Sequence, residues 1–246
     1  MSAYTALARW YDKLTADVPY GEFCALYERV FAENGGIETV LDLACGTGTM
    51  TALLAERGYE LIAADPSEEM LSEAQAKLLD GEYRHRPLLL CQSMETLDLY
   101  GTVDAAVCAL DAVNYVQRES LREAFRRLNL FIRPGGVFVF DMLAPSRLRE
   151  LDGTVNIDEA DGLFCVWRPV VNGDCVVYGM DLFERRGAVW SRESEEHMEY
   201  IYEPKELLNL LLEAGFVSAE IITGAPMENA GRLFIKAVNG EIIKHG

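Results

Sequence analysis

A chain of 246 residues, half of them hydrophobic and a quarter charged, has the composition of a globular protein and enough length for a sizeable core. Twenty-two Lys and Arg against forty Asp and Glu leave a formal net charge of −18, which repels a phosphate backbone or an anionic membrane surface, so a nucleic-acid partner is disfavoured. The N-terminal stretch carries Arg9, Asp12 and Lys13 instead of a continuous apolar segment, and no apolar run approaches the ~18 residues that cross a bilayer; a cytoplasmic chain with no membrane span is expected.

An aromatic-rich segment around Trp10, Tyr11 and Tyr20 comes first, within a helical cap expected over residues 1–36. Short apolar runs at 39–43, 60–64, 87–91, 105–110 and 137–140 then predict strands buried on both faces. Between them, helical patterns at 49–57, 67–79 and 119–132 each end near Gly or Pro. Strands alternating with helices require right-handed crossovers and a mostly parallel sheet covered on both faces, which is a doubly wound α/β domain.

Beyond Asp141 the pattern changes. The runs 163–171, 174–184 and 189–202 are rich in Val, Tyr, Phe and Trp and partly alternating, and predict a three-stranded antiparallel meander inserted over residues 152–200. Asn172-Gly173 and Arg186-Gly187 are its expected turns. A helix over 204–214 follows, with Pro204 in its first turn and Gly215 past its end. Two last strands, 217–223 and 232–238, are placed to pair as a hairpin at a sheet edge.

The strongest chemical signal joins the first strand to the first of those helices: Leu41-Asp42-Leu43-Ala44-Cys45-Gly46-Thr47-Gly48. Gly46 and Gly48 allow a sharp turn and close approach of a ligand to the backbone, while Asp42 favours positive charge nearby. A dinucleotide fingerprint would place a third glycine at position 51, where Thr51 stands, which counts against a nicotinamide cofactor. Asp65 closes the second strand seventeen residues after Gly48 and precedes Pro66-Ser67; a carboxylate there can take both hydroxyls of a ribose.

In this order and spacing, the motifs resemble those of the class I S-adenosylmethionine-dependent methyltransferases. The first motif at 41–48, the ribose segment Ala64-Asp65-Pro66-Ser67-Glu68-Glu69-Met70-Leu71 and the turn at 130–136 all match. The resemblance implies a Rossmann-like seven-stranded sheet with an antiparallel last strand and S-adenosylmethionine bound at the C-terminal strand edges. Ala44, Gly46 and Gly48, with Cys45 between them, would line the methionine part; Asp65 and Pro66 the ribose; and Met70 the adenine or ribose face. Gln92, Ser93 and Met94 follow the third strand, where many members carry an Asp toward the adenine amino group; Ser93 is a departure that still hydrogen-bonds. Leu110 ends the fourth strand at the cofactor. Asn114 and Tyr115 either orient an amine or hydroxyl nucleophile as catalytic groups or begin a helix with a core tyrosine. Tyr11 and Tyr20 would close over the cofactor's carboxylate or sulfonium, whereas Trp10 reads as helix packing.

Methyl transfer from a sulfonium needs positioning more than acid–base help, which agrees with the lack of a visible triad. His197 or Glu199 could serve as a base for a hydroxyl acceptor, but they alternate with Met198, Tyr200 and Tyr202 along the last meander strand, and its solvated face is the favoured reading. Three widely spaced histidines and six cysteines without a C-x-x-C pair offer no metal site and fit reduced thiols. The expected activity is methylation of a small-molecule N or O acceptor, with the aromatic meander as a lid over the acceptor or as a homodimer interface. Cofactor binding without transfer, or a nicotinamide-dependent oxidoreductase, are the alternatives.

Overall fold

The computed structural model describes residues 7–240. A 3-10 turn, Ala8–Trp10, leads into α1 (Tyr11–Leu14) and α2 (Tyr20–Asn34), ahead of β1 (Thr39–Leu43). The alternation then runs α3 (Thr49–Glu56), β2 (Glu60–Asp65), α4 (Glu68–Leu79), β3 (Leu88–Cys91), β4 (Val103–Cys108), α5 (Arg118–Phe131) and β5 (Ile132–Leu143), as the apolar runs predict. These five strands pair in parallel in the spatial order β5-β4-β1-β2-β3. No helix among the described residues is long and apolar enough to cross a membrane. All six cysteines are free.

Side-chain pattern explains the layering. In α5, Leu121, Ala124, Phe125 and Leu128 fall on one buried stripe at helical spacing. They pack with Phe138, Phe140, Leu207 and Leu211 on one face of the sheet. The opposite face is covered by α2 and α3 through Phe23, Tyr27 and Leu54, against Val107, Val139 and Phe234. Successive β5 residues thus serve opposite cores, and burying each such side chain contributes about 1.5–3 kcal/mol. Ser67 caps α4, its hydroxyl accepting from the Met70 amide at 3.2 Å.

After α6 (Pro145–Arg149) the insertion forms a separate four-stranded antiparallel sheet, β6 (Asn156–Ala160), β7 (Leu163–Asn172), β8 (Cys175–Arg186) and β9 (Val189–Tyr200). The three-stranded expectation misses β6, whose sequence Asn-Ile-Asp-Glu-Ala is mostly exposed and carries no apolar run. The turns are also displaced by one residue. Asn172 pairs with Cys175 and Arg186 with Val189, so the loops are Gly173-Asp174 and Gly187-Ala188, with glycine at positive φ in first place. The inner face of this sheet, Leu163, Cys165, Met180 and Leu182, packs on Leu7, Trp10, Tyr11 and Leu14.

The chain returns through α7 (Pro204–Glu213) to β10 (Phe216–Ile222) and β11 (Arg232–Asn239). The last strand lies between β10 and β5 and is antiparallel to both, completing seven strands.

Candidate active site

A cavity of about 490 Å³ opens at the C-terminal ends of β1, β2 and β4. Eleven of the sixteen residues singled out above line it: Tyr11, Ala44, Gly46, Asp65, Pro66, Met70, Gln92, Ser93, Met94, Leu110 and Tyr115. The β1–α3 loop makes this possible by passing through left-handed backbone at Ala44, Gly46 and Gly48. Asp65 anchors the loop, its carboxylate accepting from the amides of Gly46 and Ser67, both at 2.9 Å. Burial nonetheless raises the Asp65 pKa, because those two bonds do not fully replace water. Its remaining lone pairs are available at the cavity wall. Ser93 is held to Thr96, whose hydroxyl accepts its amide at 3.0 Å.

Five expected residues do not line this cavity. Asp42 lies beneath the loop, buried, with its carboxylate accepting from the Thr51 hydroxyl; desolvation pushes its pKa up to about 7. It therefore supports the loop from below instead of meeting a ligand. Gly48 caps α3 against α4, where an added Cβ would stand 3.0 Å from that of Ala74. Cys45 is buried between its neighbours, and burial drives its thiol pKa up. Tyr20 faces a different hollow beside Thr15 and Lys77, its hydroxyl donating to Thr15 at 3.4 Å. Asn114 is fully buried, its amide donating to the Tyr200 carbonyl at 2.8 Å, which ties the β4 loop to the end of β9.

A second cavity of about 220 Å³ adjoins the first and shares Tyr11, Leu110 and Tyr115 with it. Trp167 and Tyr178 of the four-stranded sheet form one wall; Asp111, Asp158, Glu199 and Arg232 supply its charges. The solvated-face expectation for His197 and Glu199 is thereby reversed. His197 and Glu199 are buried, and it is Met198 that is exposed, because the packed side of β9 faces the domain with its polar residues. Glu199 accepts from the Tyr178 hydroxyl at 3.2 Å and is hydrogen-bonded by Tyr115.

The ridge between the cavities is strained. Of the four non-glycine residues with positive φ among those described, Leu110 and Asp111 are adjacent here, a conformation costing of order 1–3 kcal/mol each. Asp141, fully buried on β5, holds them by accepting the Leu110 amide at 2.8 Å and the Asp111 amide at 3.0 Å. Arg232 on β11 binds both Asp141 and Asp111 through Nη1. Leu43, Ser67, Glu95, Ala109, Ala112 and Val116 also line the first cavity. They flank the motif residues and are implied by position. Arg232 and Glu199 carry no local signal, since only the tertiary fold brings them in.

A family profile described as "Methyltransferase domain" matches residues 40–136. The chain is 31% identical to a Bacillus subtilis (strain 168) protein named "Putative methyltransferase YqeM" over 98% of each chain. Among solved structures, an S-adenosylmethionine-dependent methyltransferase from Clostridium acetobutylicum ATCC 824 superposes with a TM-score of 0.82 at 27% identity, covering 97% of this chain and 100% of that one. The sugar N-methyltransferase KedS8 from Streptoalloteichus sp ATCC 53650 shares the fold, with a TM-score of 0.80 at 22% identity over 98% of this chain and 94% of that one.

Proposed function

Because the chain belongs to the S-adenosylmethionine-dependent methyltransferases, we propose that it methylates a nitrogen or oxygen nucleophile of a small molecule seated in the second cavity. The cofactor, S-adenosylmethionine, supplies a methyl group already activated on a sulfonium. The first cavity fits it chemically: a buried carboxylate for a diol at Asp65, open left-handed backbone at Ala44 and Gly46, and polarisable Met70 and Met94 for an adenine face. Ser93 offers a hydrogen bond at the base edge, while the Gln92 side chain braces this loop by bonding the Asp98 backbone at both ends; Tyr11 also lines the cavity.

The observation that carries this reading is the adjacency of two cavities across one ridge, with Tyr11, Leu110 and Tyr115 common to both. Such a ridge fixes donor and acceptor in line, and alignment supplies most of the acceleration in a displacement of this kind. At about 220 Å³ the acceptor cavity is below the ~300–1,000 Å³ that holds drug-sized ligands, which favours a small acceptor. In this reading the N-terminal cap (1–36) and the 152–200 insertion belong to one catalytic unit, the insertion serving as the acceptor's wall. Residues 1–6 of that cap lie outside the described residues.

Incubation with S-adenosylmethionine and a panel of small amines and hydroxyl compounds tests the proposal. At least one member is expected to drive S-adenosylhomocysteine release with matching gain of one methyl group. Cofactor binding with no release across both compound classes would overturn it.

A further inference from the structure

The second cavity is short of positive charge. Asp111, Asp141 and Glu199 are buried around one guanidinium, that of Arg232, so carboxylates exceed their cationic partner three to one. Asp111 and Asp141 both engage Arg232 Nη1. Among the described residues Glu199 takes its hydrogen bonds from phenols, Tyr178 from β8 and Tyr115 from the ridge, and feels Arg232 through space without an ion pair to it. Asp158 on β6 joins Asp111 and Glu199 as the third carboxylate of the lining, accepting from Trp167 Nε1 at 2.7 Å. Buried carboxylates without a counter-charge either take up protons or await a cation. Among the described residues Arg232 Nε is also buried without a hydrogen-bond partner, leaving a donor for an oxygen atom on the occupant.

We propose, resting on the methyltransferase reading, that the acceptor is a small ammonium-bearing molecule and that Glu199 binds its nitrogen and removes the proton that blocks attack. An ammonium nitrogen has no lone pair and cannot be methylated until it is deprotonated. It gives its proton to the Glu199 carboxylate, leaving a neutral amine and a neutral carboxyl. The amine lone pair then forms the new N–C bond as the C–S bond of the sulfonium breaks, its electron pair staying on sulfur. The product is a methylated ammonium beside a neutral thioether, and the proton on Glu199 passes to solvent before the next turnover.

The surroundings suit this role. Burial and the nearby Asp111 raise the proton affinity of Glu199, while the two phenols and Arg232 oppose them more weakly. A carboxylate so raised is better matched to an ammonium than an exposed one. Among the described residues the charged and titratable groups around it are Asp111 and Tyr115 from the ridge, Asp158 from β6, Tyr178 from β8, Arg232 from β11 and Tyr11 from α1, with Asp141 of β5 behind Asp111 and Arg232 and the His197–Glu195 pair on its own strand. Trp167 and Tyr178 offer faces to a cation.

Calorimetry with S-adenosylhomocysteine and with sinefungin tests this without knowledge of the acceptor. Sinefungin is an analogue bearing an amine-substituted carbon in place of the methyl sulfonium. Glu199→Gln is expected to weaken sinefungin about tenfold while leaving S-adenosylhomocysteine unchanged, and Glu199→Asp to recover part of the loss. In the unsubstituted protein the affinity ratio of sinefungin to S-adenosylhomocysteine is expected to rise between about pH 6 and about pH 8.5 as Glu199 ionises, and to be flat in Glu199→Gln. An unchanged ratio in Glu199→Gln overturns the proposal; should that variant fail to fold, a flat ratio in the unsubstituted protein does so. Failure of S-adenosylhomocysteine itself to bind refutes the methyltransferase reading instead.

Discussion

Asp42→Asn isolates the energetic cost of the carboxylate beneath the glycine loop. Asp42 is wholly buried and accepts from both the hydroxyl and the backbone amide of Thr51, yet desolvation, helped by the neighbouring charge of Asp65, lifts its pKa from 3.8 to about 7. Between those values the folded protein holds a proton that the unfolded chain has released, so raising the pH through this window weakens the fold. Above about pH 7 the full cost is present. At 1.36 kcal/mol per unit, the shift corresponds to about 4 kcal/mol, a large share of the 5–15 kcal/mol typical of a domain. Asn is neutral at every pH, matches the shape and still accepts from Thr51. Urea denaturation of both proteins should therefore give similar stabilities near pH 4. The variant's advantage should grow by up to about 1.4 kcal/mol per pH unit and level off near 4 kcal/mol above pH 7. A stability difference that stays constant from pH 4 to about pH 8 would refute the reasoning, because it would mean that Asp42 is equally ionised in both states.

Asp65→Asn removes the charge from the carboxyl proposed to hold the ribose, and S-adenosylhomocysteine affinity measured by calorimetry should fall about 10–100-fold, the worth of hydrogen bonds to an ionised acceptor. Asp12 ties α1 to the glycine loop by accepting from Thr47 at 2.5 Å and pairing with Lys77 at 2.8 Å; Asp12→Ala should loosen the adjacent Tyr11 and speed cofactor dissociation in stopped flow. Half-exposed as that pair is, the effect should stay within about fivefold. Ser93→Asp should tighten S-adenosylhomocysteine binding about three- to tenfold by supplying a carboxylate to the adenine amino group, and an unchanged affinity would show that position 93 lies elsewhere. Sedimentation should find a monomer at micromolar concentration, since the inner face of the four-stranded sheet is already packed on α1; a stable dimer would restore the interface reading, with exposed Ile157, Val170, Val189 and Trp190 as its contact.

The parallel core was legible because strands buried on both faces announce themselves as unbroken apolar runs, and the glycine loop because only particular residues tolerate its backbone. Much of the first cavity's lining was legible for the same reason: Ala44, Gly46, Asp65 and Met70 lie within two short stretches. The acceptor side was not. β6 is edge-exposed and polar, so nothing in Asn156–Ala160 marks a strand. In β9 the alternation is correct but its sense is inverted, since Glu199 and His197 turn inward and Met198 outward. Hydrophobic patterning assumes that the buried side is apolar, and that assumption fails where a buried face lines a polar cavity. Asn114 illustrates the converse, a polar residue beside the site that serves the fold by holding the Tyr200 carbonyl.

The antiparallel last strand explains how the charges of the second cavity come to stand beside the first. Parallel strands deliver their C-terminal ends to the cofactor edge of the sheet, whereas β11, running the other way, delivers its first residue. That residue is Arg232, paired with Leu143 at the end of β5 and bonded to Asp141 and Asp111. Asp141 in turn holds the left-handed ridge of Leu110 and Asp111 that divides the cavities. One buried cluster thus offsets backbone strain at the ridge while leaving the second cavity with more carboxylates than cations. Removing Arg232 would strand two buried carboxylates and release the ridge together, so the strand reversal is tied to both the shape and the electrostatics of the second cavity.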